Sequence, residues 1–420
     1  MTRLALLLQL FALVYLQRLA VPAGGLMLSL PLFATAAALA ALAAAGRLTF
    51  SRTRLLLFAA MGAAAAFSQA VAPGPMSLAS LAYLLALYGI LTVRLALAPG
   101  DFAAVWRGYA ALMVLPALLV LAQYGWQLRA GPGSGLGLDA LFPRRWLLPG
   151  YIYRASTEAW RTWDRPNGVF FLEPSFCSAF LALAFLNEAL WLRRTGLAAL
   201  FLAALLLSGG ATGLLLVAIA IAWRLRRSRS GVLVMAATGF ALAALVDSRL
   251  ASLGRLAELA SPGSSGYDRL VLPLASFWRV VGDPGGWLAG HGAGRITADF
   301  GNAWPMVKLT YEYGLPTALL WLAFFAVAIA GRERVGLRIA VFLVFQLTGG
   351  YLLSPVMLLF VALSCTMATP ASRARSDRRA SGERREPARS GRVPPAGVFS
   401  PRRWSGARPR CGFAKVRPAG

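Results

Sequence analysis

The chain is poor in charge, and acid is the scarcer sign: 14% of its 420 residues are charged, with 16 Asp or Glu against 42 Lys or Arg. A soluble domain carries nearer a quarter charged residues, so a soluble globular fold is excluded for most of the length. Only three cysteines occur, Cys177, Cys365 and Cys411, and no CxxC pair is present. His291 is the single histidine. A disulfide framework, or a zinc site of the usual His and Cys spacing, cannot be built from that set. No GxxxxGK[ST] loop is present, which argues against nucleotide hydrolysis. No metal and no cofactor is expected.

What abounds is apolar sequence, at 58% hydrophobic residues. Runs of about 17–25 such residues recur, each long enough to cross a bilayer. They lie near 4–21, 24–45, 54–72, 76–98, 102–125, 168–187, 231–247, 303–330, 338–352 and 355–369. The first is not read as a cleaved signal, because no small-residue cleavage pattern precedes the next run. Arginines cluster in four short loops: Arg47, Arg52 and Arg54; Arg193 and Arg194; Arg224, Arg226, Arg227 and Arg229; Arg332, Arg334 and Arg338. The positive-inside rule makes all four cytoplasmic, puts both termini inside and leaves 126–167 and 248–302 outside. The Ala, Leu and Arg richness fits a bacterial inner membrane.

Residues 197–223 form one apolar run of 27 between two basic flanks, and a single crossing would break the charge rule. SGGATG at 208–213 is a natural break, since clustered Gly, Ser and Thr favour turns. The run is read as two short helices, about 197–208 and 211–223, each too short to span without tilt or thinning. One long tilted helix is the other reading. The expectation is an all-α integral membrane domain over 1–369 with about twelve segments, two of them short, and two larger periplasmic loops. From 371 onward 14 Lys or Arg face 3 acids in an Arg, Pro, Ser and Gly-rich stretch. Residues 370–420 are therefore expected to be a disordered cytoplasmic tail drawn to anionic lipid. Charge alone would also allow nucleic acid, but no fold motif supports that partner.

Polar residues concentrate at the expected outer side. RPNGVFFLEPS at 165–175 meets an apolar run, with Arg165 and Glu173 eight residues apart. Ionisable groups at such depth are costly and are usually paired or functional. A guanidinium is also the side chain best suited to bidentate phosphate binding. The first outer loop mixes Arg144, Arg145, Arg154 and Arg161 with Trp146, Tyr151, Tyr153, Trp160 and Trp163. Such aromatics form interfacial belts or stack on sugars, and both readings stay open. In the second loop Tyr267, Leu270, Leu274, Phe277, Trp278 and Val281 recur at helical spacing, with Ser264, Ser265 or Gly266 as possible caps. That spacing predicts an amphipathic helix over 267–281, lying on the membrane or closing over a site. GHGAG at 290–294 supplies a flexible turn around His291, a histidine that is either simply solvated or catalytic. Lys308 and Glu312 stand one helical turn apart and can neutralise each other, while Gly314 and Pro316 predict a kink.

The order of these features, RPNGVFFLEPS, SGGATG, Tyr267-Asp268-Arg269, GHGAG and YEYGLP, resembles the family of bacterial O-antigen polymerases, lipid A-core O-antigen ligases and exopolysaccharide polymerases. The likeness covers roughly 1–369 and is strongest over 165–320. It implies a GT-C-like, multi-span glycosyltransferase of the inner membrane with a periplasmic site. Donor and acceptor glycans would ride on undecaprenyl pyrophosphate, without nucleotide sugar or metal, and a chain-length regulator is a possible partner. By position, the phosphate-binding arginines would be Arg165 and Arg269, and the buried acid Glu173. His291 and Glu173 are the candidate bases. The break lacks the Ser-Arg common in relatives, and Ala303-Trp304 stands where ligases carry a His-Asn pair. The second departure favours a polymerase over a ligase. A lipid-linked glycan flippase or a transporter is a further alternative, although a flippase's charge should line several helices rather than the outer loops, a transporter would more often show internal repeats, and a structural scaffold would not need Arg165 and Glu173 at that depth.

Overall fold

Among the described residues, four helices are long and apolar enough to cross a membrane: Arg52–Val71, Gly100–Ala130, Pro174–Leu192 and Pro305–Ile329. In the computed structural model, residues 1, 24–25, 73–76, 96–98, 132–133, 135–136, 138–141, 149–155, 158–159, 227–261, 263–266, 268–270, 284–285, 297–302, 332–333, 348–351 and 364–420 lie outside the described residues. The expected span at 231–247, the Tyr267-Asp268-Arg269 arginine and the basic tail all fall there.

In chain order the described helices are α1 (Thr2–Tyr15), α2 (Leu30–Ala44), α3 (Arg52–Val71), α4 (Leu78–Gly89), α5 (Pro99–Ala130), α6 (Pro174–Leu186, continued by a π turn over Asn187–Leu192), α7 (Thr195–Leu207), α8 (Ala211–Leu225), α9 (Leu272–Val281), α10 (Gly286–Ala289), α11 (Pro305–Ile329), α12 (Val335–Leu347) and α13 (Pro355–Val361). The fold is mostly helical, but the all-α expectation needs correction. β1 (Ala20–Ala23) pairs antiparallel with β2 (Leu26–Ser29), β3 (Leu48–Phe50) with β4 (Val93–Leu95), and β5 (Ser156–Thr157) with β6 (Trp160–Asp164). The first expected span therefore stops at Tyr15 rather than 21, because a hairpin containing Pro22 follows. The span expected over 76–98 likewise ends as a short 3-10 turn, Ile90–Thr92, followed by β4.

The run at 197–223 is divided as its Gly cluster predicts: α7 ends at Leu207 and α8 begins at Ala211, with Gly209 at φ +60 between them. In the amphipathic stretch Tyr267 and Val271 are π-helical and the α-helical part runs Leu272–Val281, with 268–270 outside the described residues. Pro273 lies in the first turn of that α-helical part, where a proline is accommodated. Leu274, Phe277 and Trp278 are exposed, while Pro273, Ser276 and Val280 are buried.

The core centres on α6, whose residues are almost all buried. Phe180 packs on Phe171 and Phe360, and Trp321 of α11 stacks on Phe325 at 5.0 Å. Close approach of α8 to α6 depends on small residues, because a Cβ at Gly213 would lie 2.2 Å from the Ser178 carbonyl oxygen.

Arg54, Arg334 and Arg338 gather at one end of the bundle, where Arg54 and Arg338 bind main-chain carbonyls, two of them in the last turn of α11, which helical bonding leaves unmet. Buried Arg54, at the start of α3, donates to the carbonyls of Leu91 at 3.1 Å, Val93 at 3.3 Å and Ala328 at 2.8 Å. Arg338 donates to Ile329 O at 2.6 Å. The Arg334 guanidinium lies 4.1 to 4.8 Å from the rings of Trp191, Trp106 and Phe102, near the start of α5. α3 and α11 run antiparallel from this end: Arg54 meets the last turn of α11, whereas Gln69, near the other end of α3, reaches Glu312 in its second turn. The 32 residues of α5 carry the chain about 48 Å away, at 1.5 Å per residue. The far ends of α3, α5 and α6 and the start of α11 thus form the opposite face.

Candidate functional site

Two assemblies occupy that opposite face, and each is clamped by a glutamine. The first holds the RPNG turn. Gln123 of α5 accepts the backbone N–H of Asn167 at 3.1 Å and of Gly168 at 2.9 Å through Oε1, and donates Nε2 to Asn167 Oδ1 at 3.2 Å. One helical turn on, Gln127 accepts Asp164 N–H at 2.8 Å and donates to Asp164 O at 2.8 Å. Asn167 Oδ1 also accepts Val169 N–H at 3.0 Å. Gly168 needs its missing side chain: φ is +63, and a Cβ would sit 3.2 Å from Pro116 O. Val169 takes φ 68, a costly value for a β-branched residue, and buried Arg18 donates Nη1 to its carbonyl at 3.0 Å.

Arg165 and Glu173 flank this turn, both half-buried. Glu173 stands immediately before α6, with Pro174 in the first turn, and its Oε2 accepts the Ser175 hydroxyl at 3.0 Å. The SGGATG break packs on the same turn of α6. Gly213 donates its N–H to Ser178 Oγ at 3.1 Å, and a Cβ at Gly210 would lie 2.1 Å from that oxygen. Two motifs remote in sequence therefore form one surface.

The second assembly docks the GHGAG turn into the kink of α11. Gly314 has φ 78 and ψ 160 inside the helix, and Pro316 lacks an N–H. The carbonyls of Tyr311 and Glu312 are consequently open. His291 donates its backbone N–H to Tyr311 O at 2.7 Å, and Gly292 donates to Glu312 O at 3.2 Å. Gln69 bridges the two partners, donating Nε2 to Glu312 O at 3.1 Å and accepting Ala293 N–H at 2.8 Å. Gly290 and Gly314 permit the contact: a Cβ on Gly290 would meet Glu312 C at 2.6 Å, and one on Gly314 would meet Leu288 O at 2.2 Å.

The side chains on this turn are ordered by their neighbours. His291 Nε2 lies 2.8 Å from Asp283 Oδ2, and its ring lies 4.4 Å from the ring of Tyr311. Glu312, fully buried, accepts Lys308 Nζ at 2.8 Å and Ile296 N–H at 3.2 Å through Oε1. The expected Lys308–Glu312 pair is present, and its carboxylate additionally pins the end of the His291 loop.

The predicted residues fall as follows. Arg165 and Glu173 belong to the first assembly and His291 to the second, whereas Arg269 is outside the described residues. Sequence reasoning missed Gln123, Gln127, Gln69, Arg18 and Asp283. Two glutamines four apart in an apolar run were a readable signal for the first clamp. Asp283 carried none, because its pairing with His291 depends on the fold of α10 between them.

Comparison with known families matches residues 5–301, well over half of the chain, to the family model described as WcaD colanic acid polymerase. No curated protein and no solved structure matches.

Proposed function

The chain belongs to the WcaD colanic acid polymerase family, and from that premise we propose that it joins undecaprenyl-pyrophosphate-linked repeat units into exopolysaccharide or O-antigen at the periplasmic face of the bacterial inner membrane. The membrane domain then has about twelve segments in a GT-C-like arrangement, and the face opposite the basic loops is periplasmic. An acceptor hydroxyl attacks C1 of the donor glycan, and the polyprenyl diphosphate leaves. Negative charge grows on the departing phosphate, so guanidinium groups placed beforehand lower the barrier most. Arg165 and Arg269 take that role. Glu173 either orients Arg165 or, like His291, accepts the hydroxyl proton.

The observation that carries this reading is the mounting of Arg165. It precedes a turn held by Gln123 and Gln127 through five hydrogen bonds to residues 164–168. Such fixing of the backbone that carries an anion-binding side chain is what catalysis by preorganised charge requires. A mixed glycan-transfer test separates the alternatives. Purified protein is supplied with lipid-linked repeat units and no energy source. A ladder of lengthening glycans supports a polymerase. Transfer only when lipid A-core is added supports a ligase, and no transfer supports a flippase. Arg165→Lys and Arg269→Lys retain charge but lose the fork, so each should cut polymer yield steeply with membrane insertion intact. An unchanged length distribution on a gel of extracted polysaccharide refutes both assignments.

A further inference from the structure

We propose that His291 Nδ1 is the proton acceptor for the attacking hydroxyl and that Asp283 is its positioning residue, an inference that rests on the polymerase reading. Asp283 Oδ2 accepts from Nε2 at 2.8 Å. In the neutral ring that contact fixes the proton on Nε2 and the lone pair on Nδ1. Among the described residues Nδ1 has no hydrogen-bond partner.

The ring is held without being enclosed. Tyr311 covers one face at 4.4 Å, and the backbone on either side of it is tied to the α11 kink. Gly286 is needed next to it, because a Cβ there would come within 2.5 Å of Nε2. The His291 side chain nevertheless keeps 29% of its surface exposed and Asp283 keeps 47%. A base must meet its substrate and then release its proton to solvent, and both demands fit a partly open imidazole. The nearest charges on α11, Lys308 and Glu312, are spent on each other. Glu173, by contrast, engages the Ser175 hydroxyl at the start of α6, a setting suited to orienting its neighbours.

The step balances as follows. The acceptor O–H bond breaks and its proton moves to Nδ1, while the oxygen forms a bond to C1 of the donor glycan. The C1–O bond to the diphosphate breaks, and its electron pair leaves with the polyprenyl diphosphate. The imidazolium then gives the proton to water.

The test uses the full chain in nanodiscs with polyprenyl-pyrophosphate-linked repeat units, reading kcat and KM from the glycan ladder. His291→Ala should lower kcat about 100-fold or more, the usual reach of a positioned general base, with KM changed by no more than about threefold. A series of substituted imidazoles should restore turnover in His291→Ala in proportion to their basicity, and should not restore Glu173→Ala. Asp283→Ala should lower kcat about tenfold, with Asp283→Glu recovering most of it. Thermal unfolding of each variant reports folding, and His291→Gln serves as a second variant if the alanine unfolds. A parent that polymerises beside an equally fast His291→Ala and His291→Gln overturns the base assignment alone. Rescue that follows the size of the imidazole and not its basicity also overturns it. A parent that makes no polymer overturns the polymerase reading, and this inference with it.

Discussion

Gln69 holds the carbonyl oxygen of Glu312 at 3.1 Å with one end of its amide while the other end accepts the Ala293 N–H at 2.8 Å. One side chain thereby joins α3, the kink of α11 and the histidine turn. Gln69→Leu should leave a buried N–H unmet, which costs about 1–3 kcal/mol. The expected result is a lower melting temperature in detergent and faster proteolysis within 282–296, with both read against the parent. Gln69→Glu retains the acceptor and should fall between the two.

Gly314→Ala tests the kink itself. The substitution meets both a φ of 78 and Leu288 O at 2.2 Å. With ψ 160 the backbone there lies in a region essentially reserved for glycine, which costs other residues about 1–3 kcal/mol, and backbone cannot move aside as a side chain can. Polymer yield should collapse while the protein still inserts, judged by immunoblotting of membranes. Normal polymer from Gly314→Ala would show that the turn need not seat on α11.

Gln123→Leu removes three hydrogen bonds from the turn beside Arg165 without touching the arginine. Turnover should fall about tenfold or more if the mounting of Arg165 matters as much as its charge. Gln123→Glu keeps both bonds from backbone N–H groups and should lose less. Equal activity in all three proteins would reduce the clamp to a packing feature.

The two faces can be told apart chemically. In a protein without its natural cysteines, Arg52→Cys should react with an impermeant maleimide only after the membrane is opened. Asp283→Cys should react in intact spheroplasts. The reverse pattern would invert the bundle and place the histidine turn in the cytoplasm.

Arg54→Ala probes the basic end, where three carbonyls from α11 and the segment after α4 share one guanidinium. Each orphaned buried carbonyl costs about 1–3 kcal/mol, so membrane levels of the variant should fall well below those of Arg52→Ala, whose side chain is exposed. Similar levels for the two would mean that water replaces the lost donors.

Much of this architecture was legible because membrane burial writes strong patterns. The divided run at 208–210, the kink at Gly314 and Pro316, and the Lys308–Glu312 pair follow from local residue chemistry. The span ends did not, because hydropathy cannot distinguish a helix from the short strands at 20–29 and 93–95 when both are apolar. Nor could periodicity show that GHGAG seats on YEYG. That contact is made by backbone groups, whose partners depend on which helix bends and not on side-chain type. Asp283 and His291 meet for the same reason.

The cradles at Gln69 and at Gln123 are knit mainly from amides and carbonyls. Such groups gain and lose no proton in any ordinary medium and feel little of the ions dissolved in it. These two scaffolds would hold their shape as the acidity and salinity around them vary. Sensitivity to the surroundings would then be confined to the few ionisable side chains that the scaffolds present.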